Sequence, residues 1–147
     1  MIKNGFSSLI NLTSQVYKLF NPQLSTSKLY RLALLYQVRK AQRADTALDE
    51  IREIISTRKK FNSLSPFMDE NGIIRSHSRL SKILNVPFDT KFPVILTNRS
   101  YFSKLLMTHF HYQYEHTVSI DATKAKIKDM FHIIGLDNGL KSIRSVF

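Results

Sequence analysis

Cysteine is absent from this chain of 147 residues. With it go disulfide bonds, thiol nucleophiles and every metal site built on thiolates. Long apolar runs are missing too: the longest, residues 32–36, falls far short of the roughly 20 residues that cross a bilayer as a helix. There is no glycine-rich phosphate loop, no Gly-x-Ser-x-Gly elbow and no His-Glu-x-x-His, so the usual residues of nucleotide, ester and metalloprotease chemistry are lacking. Neither enzymatic activity nor a small-molecule substrate is expected. The last absence is local. Residues 1–44 hold no Asp or Glu, while Lys3, Lys18, Lys28, Arg31, Arg39, Lys40 and Arg43 are basic.

What is present is positive charge, with 22 Lys and Arg against 11 Asp and Glu, a formal net charge of +11. Such an excess steers polyanions and releases their counterions, which makes nucleic acid the first partner to consider and an anionic membrane surface the second. A basic surface with no selected partner has the same composition. The acid-free, serine-containing start also has the character of a mitochondrial transit peptide, although its basic residues continue past the usual presequence length. With 43% hydrophobic residues, the chain can bury one modest core or two small ones.

Periodicity supplies the coarse structure. Leu9, Leu12, Val16 and Phe20 recur at three- and four-residue steps, which predicts one buried helical face, ended by Asn21-Pro22. A second helix is expected over residues 27–43, with Leu29, Leu32, Ala33 and Tyr36 inward. A third, over residues 45–60, buries Leu48, Ile51, Ile54 and Ile55. Its acids Asp45, Asp49, Glu50 and Glu53 lie toward the start and Arg58, Lys59 and Lys60 at the end, as the helix dipole favours, and Thr46 with Asp49 suggests a capping box. Between residues 62 and 97 the pattern changes. Asp69-Glu70-Asn71-Gly72 is a turn signature, Ile73-Ile74 and Val94-Ile95-Leu96 are strand-like, and Pro87 and Pro93 bar a continuous helix. The adjacent carboxylates Asp69 and Glu70 read as solvated turn residues.

Helix returns near the C-terminus. Phe102, Leu105, Leu106 and His109 share a face, with His109 expected in the core and hydrogen-bonded. His111 and His116 follow, five apart, where that helix frays. Ile120, Ile127 and Phe131 give the next helix a buried stripe, and Leu140, Ile143 and Phe147 the last. Lys124, Lys128, Lys141 and Arg144 fall on the outer sides, where they serve either as phosphate contacts or as an ordinary solvated face.

The order of these features carries a resemblance. Asp69-Glu70-Asn71-Gly72-Ile73-Ile74-Arg75, then Arg79-Leu80, then Phe92-Pro93-Val94-Ile95-Leu96, then Leu105-Leu106-Met107-Thr108-His109-Phe110-His111 and His116, resembles the part of BEL/Pao-type LTR retrotransposon polyproteins that leads into and through the His-His-Cys-Cys zinc-binding domain of the integrase. The likeness covers about residues 61–147, and more loosely 25–60. It implies His111 and His116 as the two zinc histidines, with the family's Cys-x-x-Cys at or just past Val146-Phe147, so the expected site is truncated before its cysteine pair. Zinc is then the ancestral cofactor, with little expected to bind tightly here. A complete structural site wants four nitrogen or sulfur ligands, and two imidazoles hold the ion weakly.

Periodicity and the resemblance together give an architecture. The expected protein is mainly α, with a basic helical linker at residues 1–60, a small β-hairpin extension at 61–98, and a short three-helix, helix-turn-helix-like bundle at 99–147. The expected function is that of a non-catalytic integrase segment, with the catalytic core absent, which binds DNA without sequence preference or self-associates in DNA integration. A nuclear or cytoplasmic location is expected over secretion. Two alternatives stand beside it. Where the family has glycines and Tyr-Trp, this chain reads Thr117-Val118, Ser76-His77-Ser78 and Phe131-His132, which would suit an inert relic or a helical interaction module. The acid-free N-terminus would suit a basic organellar protein.

Overall fold

Helix α1 (Gly5–Phe20) and helix α2 (Thr26–Ala44) lie against each other in the computed structural model, which describes residues 5–57, 64–113 and 120–146. Ser25 starts α2 by accepting the Lys28 amide on its hydroxyl, the normal N-cap arrangement. The buried side of α1 is not the stripe its periodicity suggests. Phe6 and Ile10 are buried and Leu9 and Thr13 half-buried, whereas Leu12, Val16 and Phe20 are exposed. The apolar arc of α1 is wider than the surface α2 and α5 cover, so neighbours, not periodicity, choose the inner half. In α2, Leu29 and Ala33 are buried as expected, but Tyr36 faces outward and the buried row continues through Leu34, Gln37, Val38 and Gln42.

The third helix begins later than expected. A 3-10 turn, Thr46–Leu48, leads into α3 (Asp49–Thr57). The cap is Asp45, whose carboxylate accepts the Ala47 amide, in place of a Thr46–Asp49 box. Asp45 also accepts the hydroxyl of Thr97, which ties the cap to the sheet.

The fold is mainly α with a small β element, and that element is a four-stranded sheet in the order β1 (Phe67–Met68), β2 (Ile74–Arg75), β3 (Val94–Thr97), β4 (Phe131–Ile134). The first three strands are antiparallel. Strand β4 is parallel to β3 in the register Val94↔Phe131 to Thr97↔Ile134. Parallel neighbours need a long crossover, here α5 (Tyr101–Gln113) and α6 (Ile120–Lys128). The short helix α4 (Phe88–Lys91) precedes β3, and α7 (Leu136–Val146) follows β4. The sheet therefore reaches beyond the expected hairpin. Phe131, assigned by spacing to a helix stripe, begins a strand in which Phe131 and Ile133 are buried and His132 and Ile134 are not, the two-residue alternation of a half-covered strand.

Every residue of β3 is buried, and its two faces serve two clusters. Val94 and Leu96 join Phe6, Ile10, Ala33, Leu106, Ile127, Phe131 and Leu140 in the main core, while Ile95 packs with Leu48, Ile51 and Ile74. The main core thus draws on the helical, β and C-terminal segments together.

Candidate nucleic-acid interface

Helices α6 and α7 flank β4, and each opens with an acid, Asp121 and Asp137, placed where the positive end of the helix dipole favours it. Lys124 of α6 crosses to Asp137 of α7 at 2.7 Å, with Asp121 of its own helix at 3.9 Å. The hydrogen bond from Lys124, then its charge, and then the charges of Lys128 and Lys141, hold the Asp137 carboxyl below its usual range. The same bond holds the Lys124 ammonium above its own. Of the four expected cations, Lys124 bridges α6 to α7 through Asp137. Lys124 is committed to it, whereas Lys128 and Lys141 are exposed. Arg144 lies in the last turn of α7, its side chain outside the described residues. Next to this group, partial burial and then Lys128 hold His132 below its usual range. Exposed ammonium groups of this kind contact phosphates as point charges and carry no sequence information.

Spacing on the helices locates the lysines but misses Asp137, the acid that Lys124 bonds. Its signal is its place in the first turn of a helix that follows β4 and reaches α6 through the Lys124 bridge.

The described histidines sit in separate surroundings. His109 is half-buried with its ring 4.7 Å from that of Phe6 and 5.4 Å from that of Phe110, and burial lowers its pKa. His77 shares its Nδ1 with the Ser65 carbonyl at 2.9 Å. His111 sits half-buried in the last turn of α5 against the ring of Tyr112 at 5.3 Å. His116 lies outside the described residues. Among the described residues no group of three or more His, Asp or Glu forms a metal site, and the sequence has no thiol to complete the His111–His116 pair. Two imidazoles are half of the four donors that a closed tetrahedral zinc centre takes.

A second electrostatic centre, unanticipated from sequence, joins β2 to α4 and α2. Arg75 on β2 is buried and bonds Asp69 at 2.6 Å, Asp89 at 2.9 Å and the Phe92 carbonyl at 2.9 Å, with the ring of Phe88 4.9 Å away. Asp69, read as a solvated turn acid, is 7% exposed at its side chain. Arg31 reaches from α2 to Asp89 at 2.6 Å and 3.1 Å, the parallel pair of bonds that a guanidinium makes with a carboxylate. The network fixes the β1–β2 turn, α4 and α2 to one another. Among the described residues no helix is long and apolar enough to cross a membrane.

No protein-family model, curated protein or solved structure matches this chain.

Proposed function

We propose that this chain is a non-catalytic accessory segment related to the zinc-binding region of BEL/Pao-type integrases, and that it binds nucleic acid without sequence preference through the α6–α7 lysines. The observation that carries this reading is the Lys124–Asp137 bridge at 2.7 Å that ties α6 to α7, with Lys128 and Lys141 exposed on the same two helices. The ordered motifs of the resemblance support it from the sequence side: the Asn71-Gly72 turn leads to the buried Arg75, Val94-Ile95-Leu96 forms β3, and Leu105 to His111 lies on α5. The binding is electrostatic, so it weakens as salt rises in proportion to the phosphates neutralised.

The test is the salt dependence of binding to mixed-sequence duplex DNA. Lys128→Gln and Lys141→Gln should each weaken binding to all sequences alike and reduce the log–log salt slope by about one. Asp137→Asn removes the competing carboxylate and releases Lys124, and should tighten binding. A salt-independent isotherm, or an Asp137→Asn protein that binds no better, would count against the reading. The donor set carries a second expectation. At micromolar zinc the isolated chain should take up little metal, and His111→Ala with His116→Ala should leave its melting temperature unchanged; tight stoichiometric uptake in a metal-binding assay would reverse this.

A further inference from the structure

The apolar stripe that the fold leaves open on α1 lies in a groove. Leu12 is 63% exposed, Val16 55% and Phe20 80%, one helical turn apart each, and together with Tyr17 and Tyr36 they line a pocket of about 470 Å³. A second pocket, of about 560 Å³, begins at Leu9 and Gln37 and continues past Ala41 and Ala44 to Tyr101, with Lys40 and Arg99 on its walls. The two adjoin. Gln37, which lines the second, donates its side-chain amide to Thr13 of the first at 2.9 Å, and Leu9 and Leu12 are neighbours on α1. Side by side they follow the α1–α2 seam as an interrupted trough, apolar and aromatic at the Phe20 end and basic at the Arg99 end. From Leu9 to Phe20 it runs about 16 Å, at 1.5 Å per helical residue.

We propose that this trough is a docking site for an amphipathic helix of a partner protein, seated by apolar side chains at three- and four-residue spacing and by acidic residues toward its Lys40–Arg99 end. Helix-in-groove recognition uses anchors at that spacing, and contiguous exposed apolar surface of this kind marks interaction sites. Charge selects the occupant. Residues 1–44 contain no acid, and the one carboxylate on the groove wall, Asp45, is already engaged through both oxygens by the Ala47 amide and the Thr97 hydroxyl. A second copy docking by the same groove would bring no acid from residues 1–44 to meet Lys40 and Arg99, and cations left without partners at an interface cost affinity. A nucleic acid strand would find no cation lining the Phe20 end, where its phosphates would lie unpaired. The site is separate from the α6–α7 lysines and does not depend on DNA binding.

The probe is a fluorescent synthetic helix of about four turns with leucines on one face and glutamates beside them, compared with a twin in which lysines replace the glutamates. On the full chain the glutamate peptide should bind with a dissociation constant on the order of micromolar, at least about tenfold tighter than its twin. Leu12→Ser and Val16→Ser, separately, should each weaken it about tenfold. Both sites are exposed, so the melting curve should not move. Lys40→Glu with Arg99→Glu should reverse the preference between the two peptides. Equal affinity for both peptides, no binding of either, or full affinity in both serine variants would overturn the proposal. So would displacement of the peptide by a single-stranded oligonucleotide, or a homodimer in sedimentation equilibrium that Leu12→Ser dissociates.

Discussion

Arg75 shows how one residue can hold several elements together. Its side chain is 1% exposed, and removing an ion from water costs several kcal/mol unless partners restore what water supplied. Here two carboxylates and a carbonyl do so, and Arg31 shares one of the carboxylates from α2. Arg75→Met would strand the buried Asp69 and is expected to cost about 3–5 kcal/mol in urea denaturation. Arg31→Met, at a side chain 41% exposed, should cost no more than about 1 kcal/mol. Asp89 makes the network sensitive to acid. Burial pushes its carboxyl up, but the hydrogen bonds and charges of Arg31 and Arg75 outweigh burial and set it below its ordinary value. A folded-state pKa below the unfolded value of about 3.9 gives stability that is fully present above that value and lost as pH falls through the folded one. The melting temperature should therefore drop steeply below about pH 4. Asp89→Asn should lower it at pH 7 and flatten the acid limb; an unchanged acid limb in Asp89→Asn would place the acid sensitivity elsewhere.

Between elements, Gln42 does what the ladder does not. Strands β2 and β3 pair only at Arg75↔Val94, and beside that pair the Gln42 side chain, from the last turns of α2, donates to the carbonyls of Ile74 at 2.9 Å and Ile95 at 2.8 Å and accepts the Ile74 amide at 3.0 Å. It is 3% exposed. Gln42→Leu would keep the volume and leave those backbone groups unpaired, at about 1–3 kcal/mol for each buried group. Faster hydrogen exchange at the Ile74 amide than at the β3–β4 amides should accompany the loss. Gln42 also marks the limit of what the sequence discloses. Helix α2, the acid-led α3, the Asp69–Gly72 turn and the β3 run are legible because spacing, dipole placement and turn chemistry are local. The inner face of α1 and the strand at Phe131 are not, because each is decided by a partner distant in sequence: α5 and α2 for the first, β3 for the second. The same holds for the candidate interface. Helical spacing places Lys124, Lys128 and Lys141 outward, but the bridge from Lys124 to Asp137 depends on β4 setting α7 beside α6, and the burial of Asp69 accompanies its bond to Arg75.

At the scale of the molecule, the three segments distinguished by composition share one core. Phe6, Ile10 and Ala33 from the first, Ile73, Val94 and Leu96 from the second, and Leu106, Ile127 and Leu140 from the third belong to the same buried cluster, and Gly5 of α1 approaches Leu105 of α5 so closely that an added Cβ would lie 2.8 Å from its side chain. Helix α1, though half its apolar arc is open, is thus built into the centre and is no detachable linker. Cooperative unfolding follows from a shared core, since loss of one layer uncovers the others, and chains of this size commonly unfold in a single step. Ile10 is the sharpest probe, because it is fully buried on the helix farthest in sequence from the interface. Ile10→Ala should lower stability by about 2–5 kcal/mol, and urea curves followed by far-UV circular dichroism and by tyrosine fluorescence should shift together to a common lower midpoint with the slope unchanged. A first transition that melts α1 and α2 while the β3–β4 amides stay protected from exchange would mean instead that the segments unfold separately and that the contacts between α1 and α5 contribute little to stability.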